Sequence, residues 1–372
     1  MTGSDGEDDS SSAPSHAAAG PTISFGFNLG KIRDQGEDSD PILRTGRDLG
    51  LAAVFDGMGG AGGTAYETPD GPRSGAYLAS RLARDVVEQK MLDFLEPEWH
   101  LDGPATAGEL HDAVKDALVA RLQELNAPAT KLRSKLLRAL PTTMAMVALQ
   151  RHEPTGLEWS AHVLWAGDSR AYVFDPAGGA RQLTTDDLRD AGDAMVNLRL
   201  DSVVGNAMSA DTEFTVHYRH VELEAPFLLV AATDGCFGYV KSPMHFEQLV
   251  LSELRDADDV DAWSAAIQRR VVVITGDDAA MATLGVGADF DELRSLFAER
   301  VVDLEERFTA PLDDLDQQVI VKEQELLTIR SRRDEQRQAL WSAYKPDYER
   351  YLVEPDDDHA DDDRAGDDEE TG

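Results

Sequence analysis

The stretch Leu51-Ala52-Ala53-Val54-Phe55-Asp56-Gly57-Met58-Gly59-Gly60-Ala61-Gly62-Gly63-Thr64 decides the reading of this chain. Residues 51–55 form a short apolar run of the kind that makes a buried strand, and Asp56-Gly57 closes it with a turn. A carboxylate at the end of a buried strand is costly unless something balances it. A lone case is well explained as a turn residue, but the construction recurs. The apolar run 227–232 leads through Thr233 to Asp234-Gly235, and the run 159–166 leads into Gly167-Asp168-Ser169-Arg170. Glu37-Asp38 follows the first strand-like region, and Asp277 and Asp278 follow Gly276. Such acids, brought to one edge of a pair of sheets, would form an all-oxygen cluster suited to Mg²⁺ or Mn²⁺ rather than Zn²⁺. Without a cation they would repel one another and some of their pKa values would rise.

Two nucleotide patterns overlap the same loop and fit it poorly. Gly57, Gly59 and Gly62 match G-x-G-x-x-G, which needs a helix opening at the glycines, whereas Pro69 and Pro72 precede the first helical periodicity. Gly57 to Thr64 also match a phosphate-binding loop, except that Gly63 stands where the lysine belongs.

Outward from the loop, 23–29, 144–149 and 171–174 read as further strands, and Phe174-Asp-Pro-Ala-Gly-Gly as a turn between two of them. Leu78, Leu82 and Val86 predict a helix, as do Leu110, Val114, Leu118, Leu122 and Leu125. Residues 246–254 and 260–267 predict a second helical pair. Strands in groups and helices in pairs predict an α+β fold with packed antiparallel sheets. From 289 the spacing of Phe290, Leu293, Phe297, Val301, Leu304 and Phe308 predicts a long helical pair or coiled coil through 352, broken at Pro311.

The 372 residues carry a net charge of −36, which argues against nucleic-acid and anionic-membrane partners. Residues 353–372 hold eleven acids against one arginine, and both 1–20 and 353–372 read as disordered tails. Cys236 is the single cysteine, so neither an intrachain disulfide nor a cysteine metal cluster is available. A C-x₅-R phosphatase loop is absent too, because Ser242 stands at the arginine position. His162, inside a strand, reads as structural. The absence of a basic, then apolar, leader and of a membrane-length apolar run predicts a soluble, cytoplasmic protein.

In their order, these elements resemble the metal-dependent protein phosphatases of type 2C. The residues that carry the resemblance are Arg33…Glu37-Asp38, Asp56-Gly57-Met58-Gly59-Gly60, Pro141-Thr142-Thr143, Gly167-Asp168-Ser169-Arg170, Leu183-Thr184-Thr185-Asp186, Thr233-Asp234-Gly235 and Gly276-Asp277-Asp278. The resemblance spans about 23–287 and implies a four-layer α-β-β-α sandwich, two antiparallel sheets flanked by helices, with 289–352 as a helical extension. It implies a bacterial-type protein serine/threonine phosphatase that uses two Mn²⁺ or Mg²⁺ ions and a bridging water, with a third, weaker ion. By resemblance Asp56 bridges the two ions, the Gly57 carbonyl is a backbone ligand, and Asp234 and Asp277 hold the first ion. Glu37 and Asp38 serve the second ion and its water shell, Asp168 with Asp234 serves the third, and Arg33 grips the substrate phosphate. Phosphorylated proteins are the implied substrates and a serine/threonine kinase the implied counterpart.

The chain also departs from the pattern. Met58 stands where some members have a proton-donating His, Asp187 where a His usually ends the Leu-Thr-x-Asp element, and Ala280 where a Thr is usual. Asp278 competes with Asp277 for the ligand position. A rival expectation is a regulatory scaffold that keeps the fold and binds partners, or a second copy, through 289–352.

Overall fold

The computed structural model describes residues 20–32, 35–94, 101–125, 137–154, 156–190, 192–198 and 202–352. The expected tails, Gly20 apart, and Arg33 lie outside the described residues. The chain divides into two compact units, Met1–Thr309 and Ala310–Gly372.

The strands of the first unit are β1 (Pro21–Leu29), β2 (Ile42–Thr45), β3 (Leu49–Val54), β4 (Ala65–Thr68), β5 (Gly71–Ser74), β6 (Met144–Arg151), β7 (Glu158–Ala166), β8 (Arg170–Asp175), β9 (Gly179–Gln182), β10 (His217–Glu224), β11 (Phe227–Ala232) and β12 (Ala279–Val286). Its helices are α1 (Gly59–Gly62), α2 (Gly75–Phe94), α3 (Gly103–Glu124), α4 (Ala194–Asn197), α5 (Asp234–Phe237), α6 (Pro243–Asp256), α7 (Val260–Ile274) and α8 (Phe290–Leu304). The second unit holds α9 (Ala310–Tyr348).

Two five-stranded antiparallel sheets, ordered β1-β12-β11-β8-β9 and β10-β7-β6-β3-β2, pack face to face. Alternate side chains of the two inner faces meet between them, among them Val54, Val147, Trp159, Val163, Leu229 and Leu284. The outer face of the first sheet packs Phe25, Leu228 and Val230 against Phe246, Trp263 and Phe297 of α6, α7 and α8. The outer face of the second packs Leu51, Met146 and Leu164 against Val87, Leu110 and Val114 of α2 and α3. With both faces covered, β11 and β12 are buried at every residue, which is why their sequences are apolar or small without alternation. The α-β-β-α sandwich is the expected one.

Three expectations change in detail. In α2 the fully buried face is Ala79, Ala83, Val87 and Met91, while Leu78, Leu82 and Val86 pack at its margin. The segment from 289 divides: α8 buries Leu293, Phe297, Val301 and Leu304, whereas α9 has no buried residue and gathers no apolar face at the 3.6-residue period. Pro311 does not make the break. It sits in the first turn of α9, where a missing N–H costs little, and the irregular turn is the π-helical Glu305–Thr309 before it.

Candidate metal centre

Strand register brings the motif acids to one end of the sandwich. Leu29 at the end of β1 faces Ala279 at the start of β12, and Ala232 at the end of β11 lies near that start, opposite Met281. In the other sheet Val54 at the end of β3 faces Ala145, and Met144 faces Ala166 at the end of β7. Glu37 and Asp38, Asp56, Asp168, Asp234, and Asp277 and Asp278 leave the sheets at these ends.

Backbone contacts fix the Asp56 loop. The Asp56 carbonyl accepts from Thr142 Oγ1 at 2.6 Å and from the Thr143 amide at 2.8 Å, which accounts for the Pro-Thr-Thr element. Two glycines make room for Glu37. A Cβ at Gly57 would lie 2.5 Å from the Glu37 carbonyl oxygen, and one at Gly59 would lie 1.8 Å from Glu37 Oε2. Ser74 Oγ donates to the other Glu37 carboxylate oxygen. Asp38 is buried; its Oδ2 accepts from Thr233 Oγ1 at 2.8 Å, and that hydroxyl accepts from the Ala280 amide at 2.8 Å. Gly57 is buried and bridges to Thr142.

Asp277 and Asp278 differ in what they hold. Asp278 Oδ1 accepts from the Lys31 amide at 2.7 Å and Oδ2 from the Glu37 amide at 2.5 Å, so this carboxylate ties down the loop that carries Glu37. Asp277 is exposed, and its Oδ1 accepts from the Asp278 amide at 2.8 Å.

The acids act on one another. Burial, then the charges of Asp38, Asp234, Asp168 and Asp277, hold Asp56 well above the usual carboxylate range. Burial and the neighbouring Asp234 do the same to Asp38, against the Thr233 hydrogen bond. Burial, then Asp277, pushes Asp234 up to about 6, although the Asp56 carboxyl donates to it. Burial, then Asp234 and Asp186, pushes Asp168 up to about 7. Burial also raises Glu37, with Ser74 opposing.

Among the described residues no three His, Cys, Asp or Glu side chains converge tightly enough to chelate one ion by themselves. A Mg²⁺-like ion does not require that, because it retains several waters and takes one or two carboxylates. The donor set is all oxygen, and its uncompensated mutual repulsion is what a hard divalent cation relieves. The residues therefore fit such ions.

Asp168 and Asp234 also border an open cavity of about 330 Å³ with Arg170, Asp186 and Asn197. Arg170 grips Asp186 with two parallel bonds of 2.9 and 2.6 Å, both side chains buried. Asp187 accepts from the Gly167 amide at 3.0 Å, Asn206 Nδ2 at 2.6 Å and His217 Nε2 at 3.0 Å. It thus braces the glycine turn before Asp168. Ala280 sits fully buried and contributes only its backbone to Thr233.

The protein phosphatase 2C profile matches residues 35–288. The chain belongs to the protein phosphatase 2C family. No curated protein matches it by sequence. Among solved structures, the serine/threonine phosphatase Stp1 from Staphylococcus aureus is similar at 18% identity, with 72% of this chain and 97% of that chain covered and a TM-score of 0.50. A sex determining protein of C. elegans gives 15% identity, 74% and 67% coverage and a TM-score of 0.52. The catalytic domain of the serine/threonine protein phosphatase PstP, solved in complex with two manganese ions, gives 17%, 71%, 97% and 0.45. At such identities the likeness is one of fold. Strand register accounts for the gathering of the acids, but several residues that support them had no sequence signal. Arg81 is the clearest: it donates from Nη2 to the Gly36 carbonyl at 3.0 Å and from Nη1 to the Glu37 carbonyl at 3.3 Å. Thr233 had one, its place directly before Asp234-Gly235.

Proposed function

We propose that this protein is a metal-dependent protein serine/threonine phosphatase. The observation that carries the reading is the gathering of Glu37, Asp38, Asp56, Asp168, Asp234 and Asp277 at one end of the sandwich, where burial and the neighbouring charges hold Glu37, Asp38, Asp56, Asp168 and Asp234 above the usual carboxylate range.

In this reading Asp56, the Gly57 carbonyl, Asp234 and Asp277 hold the core ions, Glu37 and Asp38 order the water around them, and Asp168 serves a further ion. Bound Mn²⁺ or Mg²⁺ would supply positive charge against the phosphoryl oxygens and acidify coordinated water. Asp38, fixed by Thr233, is oriented to accept a proton from water. Glu37 is locked by Ser74 and by the glycines beneath it, so ordering the site costs little on substrate arrival. Arg33, whose planar fork suits two phosphate oxygens, takes the substrate phosphate. Met58 supplies no proton, so a water or another acid protonates the leaving alkoxide.

Phosphorylated proteins are the substrates, and a serine/threonine kinase the counterpart. Residues 21–288 form the catalytic domain in this reading. Of the helical segment 289–352, α8 packs on that domain, while α9, followed by the acidic tail, serves docking or self-association in a cytoplasmic protein. None of the described helices is long and apolar enough to cross a membrane.

Phosphate release from a phosphothreonine peptide in Mn²⁺ tests the proposal. Wild type should turn over, while Asp56→Ala and Asp234→Ala should lose at least about a thousandfold, the scale of removing preorganised charge stabilisation. Equal inactivity of wild type and variants under varied metal would end it.

A further inference from the structure

Asp187 stands outside the acids of the metal centre, yet both of its carboxylate oxygens are engaged. His217 Nε2 donates to Oδ1 at 3.0 Å, and Asn206 Nδ2 donates to Oδ2 at 2.6 Å. The imidazole comes from β10, where His217 is the register partner of Trp165 on β7. The two rings stack, with 5.1 Å between centroids and 30° between planes. Trp165 is anchored in turn, donating from Nε1 to the Thr185 carbonyl at 2.8 Å. The Asp187 backbone is tied as well, its carbonyl accepting from the Gly205 amide at 2.6 Å.

What this fixed residue holds is Gly167. The Asp187 amide donates to the Gly167 carbonyl at 3.0 Å, and Asp187 Oδ2 accepts from the Gly167 amide at 3.0 Å. Gly167 needs such a two-point grip. It sits at φ +106°, and a Cβ there would lie 2.5 Å from the Thr143 Cβ, so no side chain can fix the turn. The next residue is Asp168. On its far side Ser169 Oγ lies 2.6 Å from Thr143 Oγ1, and Arg170 is gripped by Asp186. Two adjacent acids therefore clasp the chain on either side of Asp168.

The clasps differ in kind. Asp186 pairs with a permanent cation, and both side chains are buried, so its loss falls on the fold. Asp187 holds a backbone turn. Among the described residues the open cavity beside the metal centre is bordered by Asp168, Asp186 and Asp234 but not by Asp187, so Asp187 acts through the turn. Hard divalent ions demand well-placed oxygens, and the groups that orient a metal ligand are worth about 10–100-fold in affinity or activity.

We propose that Asp187, aimed by His217 and Asn206, is the positioning residue for Asp168: it fixes the Gly167 turn so that the Asp168 carboxylate is presented to a divalent ion. This rests on the metal-dependent reading and gives a task to three residues outside the acidic cluster.

The test titrates metal-free full-length protein with Mn²⁺ by calorimetry and follows phosphothreonine-peptide hydrolysis against Mn²⁺ concentration. Asp168→Ala defines the binding step that belongs to its carboxylate. Asp187→Ala should weaken that step, and raise the Mn²⁺ needed for half-maximal hydrolysis, by at least about tenfold. Asp187→Asn, whose amide oxygen still accepts from Gly167, should keep most of the affinity. In the Asp168→Ala background Asp187→Ala should add nothing, because the two act on one site, whereas a general loss of structure would add in full. Thermal unfolding in EDTA shows which variants fold. If Asp187→Ala fails to fold, His217→Phe decides, because it keeps a ring against Trp165 and removes the bond to Asp187: weaker Mn²⁺ binding supports the proposal and unchanged binding overturns it. A wild-type Mn²⁺ step in folded Asp187→Ala, the same loss with and without Asp168, or an Asp168→Ala titration identical to wild type also overturns it. If wild type releases no phosphate, the phosphatase reading fails separately. The Mn²⁺ titrations then decide alone, for the proposal on weaker binding by Asp187→Ala and against it on equal binding.

Discussion

Asp277 and Asp278 are adjacent acids to which the structure gives different tasks, and that difference is measurable. Asp278 accepts from two backbone amides, Lys31 at 2.7 Å and Glu37 at 2.5 Å. Hydrogen bonds to a charged group are each worth about 1.5–3 kcal/mol. The Lys31 side is exposed, so only about 0.5–1 kcal/mol, the ordinary net worth of a hydrogen bond, applies there, and Asp278→Ala should cost about 2–4 kcal/mol. In a domain of this size each kcal/mol moves Tm by about 2–4 °C, so a fall of about 5–15 °C is expected. Asp278→Asn keeps one acceptor and should lose about half as much. Asp277 is exposed, and among the described residues its carboxylate accepts only from the amide beside it, so Asp277→Ala should shift Tm by under about 2 °C in chelator. It should nevertheless weaken Mn²⁺ binding and phosphate release. Calorimetric unfolding in EDTA, paired with Mn²⁺ titration of the same variants, reads both effects. If Asp278→Ala leaves Tm unchanged while Asp277→Ala lowers it, the division of labour is wrong.

Other expectations follow from single contacts. Asp186→Ala would strand the buried Arg170 guanidinium and should cost about 3–5 kcal/mol, while the pair Arg170→Met with Asp186→Leu should recover most of it in urea titrations. Gly59→Ala puts a Cβ 1.8 Å from Glu37 Oε2; the carboxylate swings away, so activity should fall at least about tenfold while Tm moves by less than about 3 °C. Burial, then His220, lowers His162 to about 4. The unfolded chain takes up that proton near pH 6.5, so the stability owed to neutral His162 is complete above about 6.5 and is lost as pH falls from there to about 4. On the order of 3 kcal/mol is involved, and His162→Gln should flatten the stability profile across that window.

Much of the fold was legible because the buried strands announce themselves. Residues 51–55, 144–149 and 227–232 are apolar, bounded by turn residues and strands in the structure, or nearly so at their ends. Among the strands that escaped notice, β12 carries that signal, apolar or small and buried throughout, whereas β10 and the β4–β5 hairpin lack it. β10 is an edge strand, His217–Glu224, whose charged and polar side chains guard an open edge rather than fill a core. The β4–β5 hairpin reads as loop because Pro69 and Pro72 flank its turn, and both prolines fit a two-stranded ribbon that lacks a neighbour to satisfy. Helical periodicity located α2 but chose its larger leucines, whereas close packing on the sheet demanded the alanine face. It could not tell α8, packed on the first core, from α9, which has no buried residue, because α9 opens with Leu312, Leu315 and Val319 at helical spacing, a pattern the rest of the helix does not continue into a face.

The acids of the candidate site were legible one by one as carboxylates in places where burial makes them expensive. Their gathering was legible only through order, because strand register, not spacing along the chain, brings Glu37 and Asp278 together across 241 residues. Supporting groups such as Arg81 and Ser74 were invisible for the same reason: each acts through a contact to a backbone carbonyl or a side chain distant in sequence.

Chelation tests the central claim most directly. Protein stripped with EDTA should lose all phosphopeptide hydrolysis, keep its far-UV circular dichroism, and regain activity on addition of Mn²⁺. Hydrolysis that persists at full rate in excess EDTA, with no metal bound, would contradict the account.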